Sequence, residues 1–151
     1  MSKLRFIFLS LLVMLGVSLS ANAQLRKSSE TERIKAFTNG SVTLFKSTTD
    51  MGEVYSVKLP NASKYHSDVI LFLGSKEVML KNLNDLYEAL ECGKKGESFT
   101  FTACGQNYHL SYDKVIGQVC FRVCEEYSTN SDFGRFYQAT ISDIIEYFNQ
   151  W

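Results

Sequence analysis

Little in this chain betrays a chemistry at first sight. Among 151 residues there are one proline, one tryptophan and two histidines. Two histidines leave few ways to build a metal centre or a proton relay. A single proline, with 45% hydrophobic residues, is the wrong composition for a disordered chain or a proline-rich linker. Basic and acidic residues balance at 16 each, so no surplus of positive charge exists to displace counterions from a phosphate backbone. No phosphate loop, nucleophile elbow, metalloprotease helix motif or paired-carboxylate signature occurs. These gaps favour binding over catalysis, with no cofactor and no metal implied.

The longest apolar run, Phe6 to Val17, is also too short for the roughly 20 residues of a spanning helix. Lys3 and Arg5 precede it, and Ser18-Leu19-Ser20-Ala21-Asn22-Ala23 follows. A basic start, a short apolar core and an Ala-x-Ala end predict a secretory signal over 1–23, cut between Ala23 and Gln24. The protein is then exported, to a periplasm or the extracellular space, with no membrane span after cleavage. Of the 151 residues 128 remain, enough for one domain. The leader holds two of the 16 basic residues and none of the 16 acidic ones, so the mature chain carries a net −2.

What is present is a repeated pattern. Ile141-Ser142-Asp143-Ile144-Ile145-Glu146-Tyr147-Phe148 echoes Leu83-Asn84-Asp85-Leu86-Tyr87-Glu88-Ala89-Leu90, and each copy follows a run of strand-like segments. The reading is an α+β domain over 41–151 made of duplicated ββββα units, 41–93 and 94–151, each an antiparallel sheet closed by one helix. Residues 24–40 form an N-terminal arm or a short helix, with Ser29 and Glu32 at capping-box spacing and an Ile34/Phe37 stripe.

In the first half Val42 to Phe45 and Val54 to Leu59 read as strands, the latter with Tyr55, Val57 and Leu59 on one face. Val69-Ile70-Leu71-Phe72-Leu73 is apolar at every position, so its second face needs a cover, and a homodimer through Ile70 and Phe72 is expected. Gly74-Ser75 then suggests a hairpin into a strand at Lys76 to Lys81, and Asn82 caps a helix with Leu83, Leu86, Tyr87 and Leu90 as its stripe.

In the second half Ser98 to Cys104 and Asn107 to Asp113 form a hairpin about Gly105-Gln106, pairing Phe99 with Tyr112 and Phe101 with Leu110. Thr100, Thr102, His109 and Ser111 take the other face. In Gln118 to Glu125, Val119, Phe121 and Val123 point in and Cys120, Arg122 and Cys124 out. A strand over Arg135 to Thr140 leads to the last helix, capped by Thr140, with Ile141, Ile144, Ile145 and Phe148 buried.

Four-strand-plus-helix units used twice, with Val119-Cys120-Phe121-Arg122-Val123-Cys124-Glu125-Glu126-Tyr127, a polar loop and Gly134-Arg135 before the closing helix, resemble the whirly-type and Pur-type single-strand nucleic-acid-binding domains and related coactivators. The resemblance covers the topology of 41–151 and implies a nucleic-acid strand as an alternative ligand. This chain departs from those families in its export signal, slight acidity and lack of a basic stripe, and no binding residue carries over.

The cysteines at 92, 104, 120 and 124 form an even set in an exported protein and invite a disulfide reading. Cys104 and Cys124 flank Asn107 in the inferred register, so a bridge between them needs local distortion. Cys120 and Cys124 stand roughly 13 Å apart along one strand, too far to share a metal. His109 beside Cys120 or Cys124 would make a thiol nucleophile, which places a thiol-dependent enzyme as a second alternative. The leading site is aromatic and cationic: Arg122, Tyr127, Phe133, Arg135 and an outward Phe136, facing an unknown protein, peptide or glycan. The expectation is an exported, non-enzymatic binding or interaction module.

Overall fold

Residues 30–127 and 132–150 are described by a computed structural model; the leader expected over 1–23 and Ser29 lie outside them. Four strands, β1 (Glu30–Phe37), β2 (Val42–Thr49), β3 (Gly52–Leu59) and β4 (Val69–Gly74), form one antiparallel sheet in sequence order and lead into helix α1 (Lys76–Glu91). The plan repeats in β5 (Ser98–Ala103), β6 (Gln106–Val115), β7 (Gln118–Glu125), β8 (Gly134–Tyr137) and helix α2 (Gln138–Asn149). The chain is therefore an α+β protein built from a duplicated ββββα unit.

The first strand is where a short helix was expected. β1 pairs with β2 from Glu30 opposite Thr48 to Phe37 opposite Val42, with a bulge between Arg33 and Lys35. A bulge inserts one residue and shifts the inward parity. Ile34 and Phe37 therefore both pack on the core at a spacing of three, which imitates a helical stripe.

The expected strand at Lys76 to Lys81 is likewise corrected, because these residues are the first turns of α1. Gly74, at φ 101°, ends β4, and the Met79 amide donates to the Ser75 carbonyl at 2.6 Å. The buried stripe is Met79, Leu83, Leu86 and Leu90, a helical spacing that begins one turn before Asn82. Asn82 is not the cap; its Nδ2 donates to the Leu73 carbonyl at 2.8 Å and ties the helix to the end of β4.

In the second sheet the hairpin turn is Cys104-Gly105, both at positive φ (52° and 74°), as a two-residue type I′ turn requires. Phe99 thus pairs with Leu110 and Phe101 with Tyr108, a shift of two residues from the expected register. A shift of two keeps every side chain on its face. Tyr108 and Leu110 are buried while Thr100 and His109 are exposed. β8 is shorter than expected and α2 starts at Gln138, so Thr140 lies within the helix, its hydroxyl bonded to that of Thr38.

One core joins the halves. The Phe37 ring meets Tyr147 of α2 edge-on at 6.2 Å, and Tyr55 meets Phe148 at 5.3 Å. The Tyr108 hydroxyl donates to the Ile70 carbonyl at 2.9 Å and accepts from the Phe72 amide at 3.2 Å. Gly134 bridges to Asn61, and a Cβ there would stand 2.7 Å from that of Leu59, so only glycine permits the approach. Each fully buried leucine, isoleucine or phenylalanine in this core contributes roughly 1.5–3 kcal/mol.

Candidate functional site

Because both helices cover the inner faces, each sheet presents its other face outward. On the first sheet, strand parity puts Phe45, Ser47 and Thr49 of β2, Val54, Ser56 and Lys58 of β3, and Ile70 and Phe72 of β4 on that face. Ser56 pairs with Phe45 on one side and Phe72 on the other. It is only 5% exposed, a small side chain set low between two large rings. The result is a trough of about 600 Å³ running along β3, with Thr31 on its β1 side and Cys104 and Gln106 of the β5–β6 hairpin at the opposite rim. Its walls are aromatic and aliphatic, its polar groups mostly hydroxyls. Lys58 supplies one ammonium, 3.7 Å from the Asp68 carboxylate. The volume lies within the range of ligand clefts.

The sequence pointed to this face only through Ile70 and Phe72. Phe45 and Val54 were legible from the alternation of β2 and β3, but the depth made by Ser56 depends on three strands in register.

On the second sheet, the structure brings Arg122, Phe133 and Arg135 together. Arg122 and Arg135 are direct neighbours across β7 and β8. The Arg122 guanidinium lies over the Phe133 ring at 3.9 Å and that of Arg135 at 5.1 Å, a cation–π arrangement that lets two like charges sit side by side. Arg135 Nε also faces Asp113 Oδ2 at 3.7 Å, an ion pair too long for a hydrogen bond. Phe133 is 8% exposed, so both guanidinium groups spend their ring contacts inside the protein. Tyr127 is 94% exposed. Phe136 is corrected outright: it opposes Phe121, is fully buried and belongs to the core. The short β8 puts Gly134 and Phe136 inward, Arg135 and Tyr137 outward.

The cysteines do not form the expected bridge: Cys92, Cys104, Cys120 and Cys124 are all free. Cys104 is in the hairpin turn, whereas Cys124 opposes His109, three residues further along β6 from Gln106. That is about 10 Å along the strand, beyond the Cα separation of a disulfide. Burial pushes the Cys104 and Cys124 thiols up, and Cys120, wholly enclosed beside Asp113, is pushed up to about 11. A nucleophilic cysteine needs the opposite shift. Among the described residues no group of three or more His, Cys, Asp or Glu side chains is placed to hold a metal ion, and no helix is long and apolar enough to cross a membrane. Comparison with protein families and with curated proteins finds no match to the chain.

Proposed function

We propose that this is an exported, non-enzymatic binding module that holds an extended peptide segment of a partner protein in the trough on the first sheet. The observation that carries the reading is the row Phe45–Ser56–Phe72, two rings flanking a recessed hydroxyl. Val54 to Lys58 spans about 13 Å of floor, the length of a four-residue extended segment. Alternate side chains of such a segment drop between the rings, its backbone meets the Ser47, Thr49 and Ser56 hydroxyls, and an acidic residue finds Lys58. Export rests on the leader sequence, and amino-terminal sequencing of secreted material tests it: the first residue should be Gln24.

Random heptapeptides displayed on phage and panned against the mature protein test the binding reading. Selected peptides should be apolar at alternate positions, and Phe72→Glu should weaken them at least tenfold. Peptides that bind the substituted protein equally well would remove the trough from the account.

The whirly-type alternative draws support from the doubled ββββα plan and from Arg122, Phe133 and Arg135. Against it, Phe133 already lies under two guanidinium groups and offers no free ring for a base. A gel shift with random-sequence single-stranded oligonucleotides at low salt separates the two, since tight, salt-sensitive binding belongs only to the alternative. The thiol enzyme ranks third because its candidate thiols are shifted toward the neutral form.

A further inference from the structure

Each four-stranded sheet has two outer strands, β1 and β4 in the first and β5 and β8 in the second. An outer strand shows unpaired amides and carbonyls and invites another strand unless guarded. β1 is guarded by Glu30, Glu32, Arg33 and Lys35 and by its bulge. Along β4 the Tyr108 hydroxyl occupies the Ile70 carbonyl and the Phe72 amide. β8 has four residues, and the chain entering it is held by the Ala62 amide on the Phe133 carbonyl at 2.8 Å.

β5 has none of these protections. Its sequence, Ser98-Phe99-Thr100-Phe101-Thr102-Ala103, carries no charge, and its register with β6 runs without a bulge. The Cys104-Gly105 turn makes Ala103 and Gln106 a hydrogen-bonded pair, so the backbone groups of Phe101 and Phe99 also point at β6. The Tyr112 amide on the Glu97 carbonyl at 2.9 Å continues the same series. The amides and carbonyls of Ser98, Thr100 and Thr102 therefore face away from the sheet, and all three residues are exposed.

We infer that β5 is a self-association edge: two copies of this chain join β5 to β5 antiparallel about a two-fold axis at Thr100, merging their second sheets into one of eight strands. The register follows from the backbone. Thr100 opposes Thr100 of the partner subunit and Ser98 opposes Thr102 of the partner subunit, so every outward donor meets an acceptor. On the core-side face Phe99 and Phe101 then pair across the axis in the closely spaced positions. Phe99, 36% exposed on the monomer, gains a cover.

The sequence of the edge selects a second copy as the occupant. Ser98-Phe99-Thr100-Phe101-Thr102 reads nearly the same in both directions about Thr100, so a second copy in antiparallel register sets aromatic against aromatic and hydroxyl against hydroxyl along the whole edge. Such an interface is isologous and closes at two copies. The pairing edge shares no residue with Phe45, Ser56 or Phe72 of the trough, so the pairing goes beyond the binding role and is tested apart from it.

Sedimentation of the mature chain over a rising concentration series should show a monomer passing to a dimer and no further, because a six-residue edge is small beside the roughly 1,200–2,000 Å² of tight complexes. Thr100→Pro removes an amide that β6 does not use; it should leave the far-ultraviolet circular dichroism intact and weaken association at least tenfold, whereas Phe72→Glu should not change it. Thr100→Cys, oxidised mildly and mapped by mass spectrometry, should give a 100-to-100 link between copies, which decides the matter even if the proline variant fails to fold. A wild-type monomer at high micromolar concentration, an undiminished dimer in a folded Thr100→Pro protein, absence of that link, or open-ended assembly would each overturn the inference.

Discussion

Phe133 and Phe136 stand three residues apart on either side of the β8 surface and have opposite work. Phe136 fills the core against Phe121, so Phe136→Ala should cost about 3–5 kcal/mol in urea unfolding, while Tyr127→Ala, at a 94% exposed side chain, should stay within about 0.5 kcal/mol. A loss at Phe136 as small as that at Tyr127 would contradict its assigned inward parity in β8. The thiols offer a second check at this scale. The folded value of Cys120 is raised, to about 11 from 9.0, so the folded state retains a proton that the unfolded chain releases. That contribution is whole below about pH 9 and is lost as pH rises toward 11. Burial of Tyr108 and Tyr55, and Glu53 beside Lys46, raise those groups as well, so all act in the same direction. Stability should fall through this alkaline window, less steeply in Cys120→Ala, and native alkylation near neutral pH should reach Cys92 and Cys104 well before Cys120. Stability that rises there would contradict the enclosure of these groups.

At the scale of elements, the edge of β4 is closed by one hydroxyl. Tyr108→Phe keeps the ring and strands the Phe72 amide and Ile70 carbonyl, which predicts a loss of about 1–3 kcal/mol and faster hydrogen exchange at Phe72; unchanged exchange would mean that the edge is closed by something else. Elements whose pattern is purely local were legible in the sequence. The stripes Leu83–Leu86–Leu90 and Ile141–Ile144–Phe148 lie buried as their spacing requires, and the faces of the β5–β6 hairpin are right although its turn is displaced by one residue. The failures came where a neighbour decides. β1 is a strand because β2 offers it a ladder, and its bulge disguises the alternation. The start of α1 is set by Gly74 and by Met79 docking on the core, not by Asn82. The outward parity of Phe136 was lost because the strand stops before Gln138. Of the candidate site, the Arg122, Phe133 and Arg135 association was legible, whereas Ser56 as the floor of a trough required the register of three strands.

At the scale of the molecule, each helix closes its own unit and leans on the other: Tyr147 and Phe148 of α2 pack on Phe37 and Tyr55 of the first sheet, and Gln138 reaches Tyr87 and Glu91 of α1. This interlocking spends the inner faces of both sheets on one core and leaves function to the outer faces. A trough is a poor surface for its own copy, since two concavities enclose a void where an isologous contact needs self-complementarity. The bulge-free, uncharged β5 edge suits a copy, and the recessed row beside Ser56 suits a projecting chain. The most direct test is nuclear magnetic resonance of the labelled protein titrated with a phage-selected peptide. The amide signals of Phe45, Val54, Ser56, Lys58 and Phe72 should move together and saturate; movement confined to Arg122, Phe133 and Arg135, or none on the first sheet, would contradict binding in the trough.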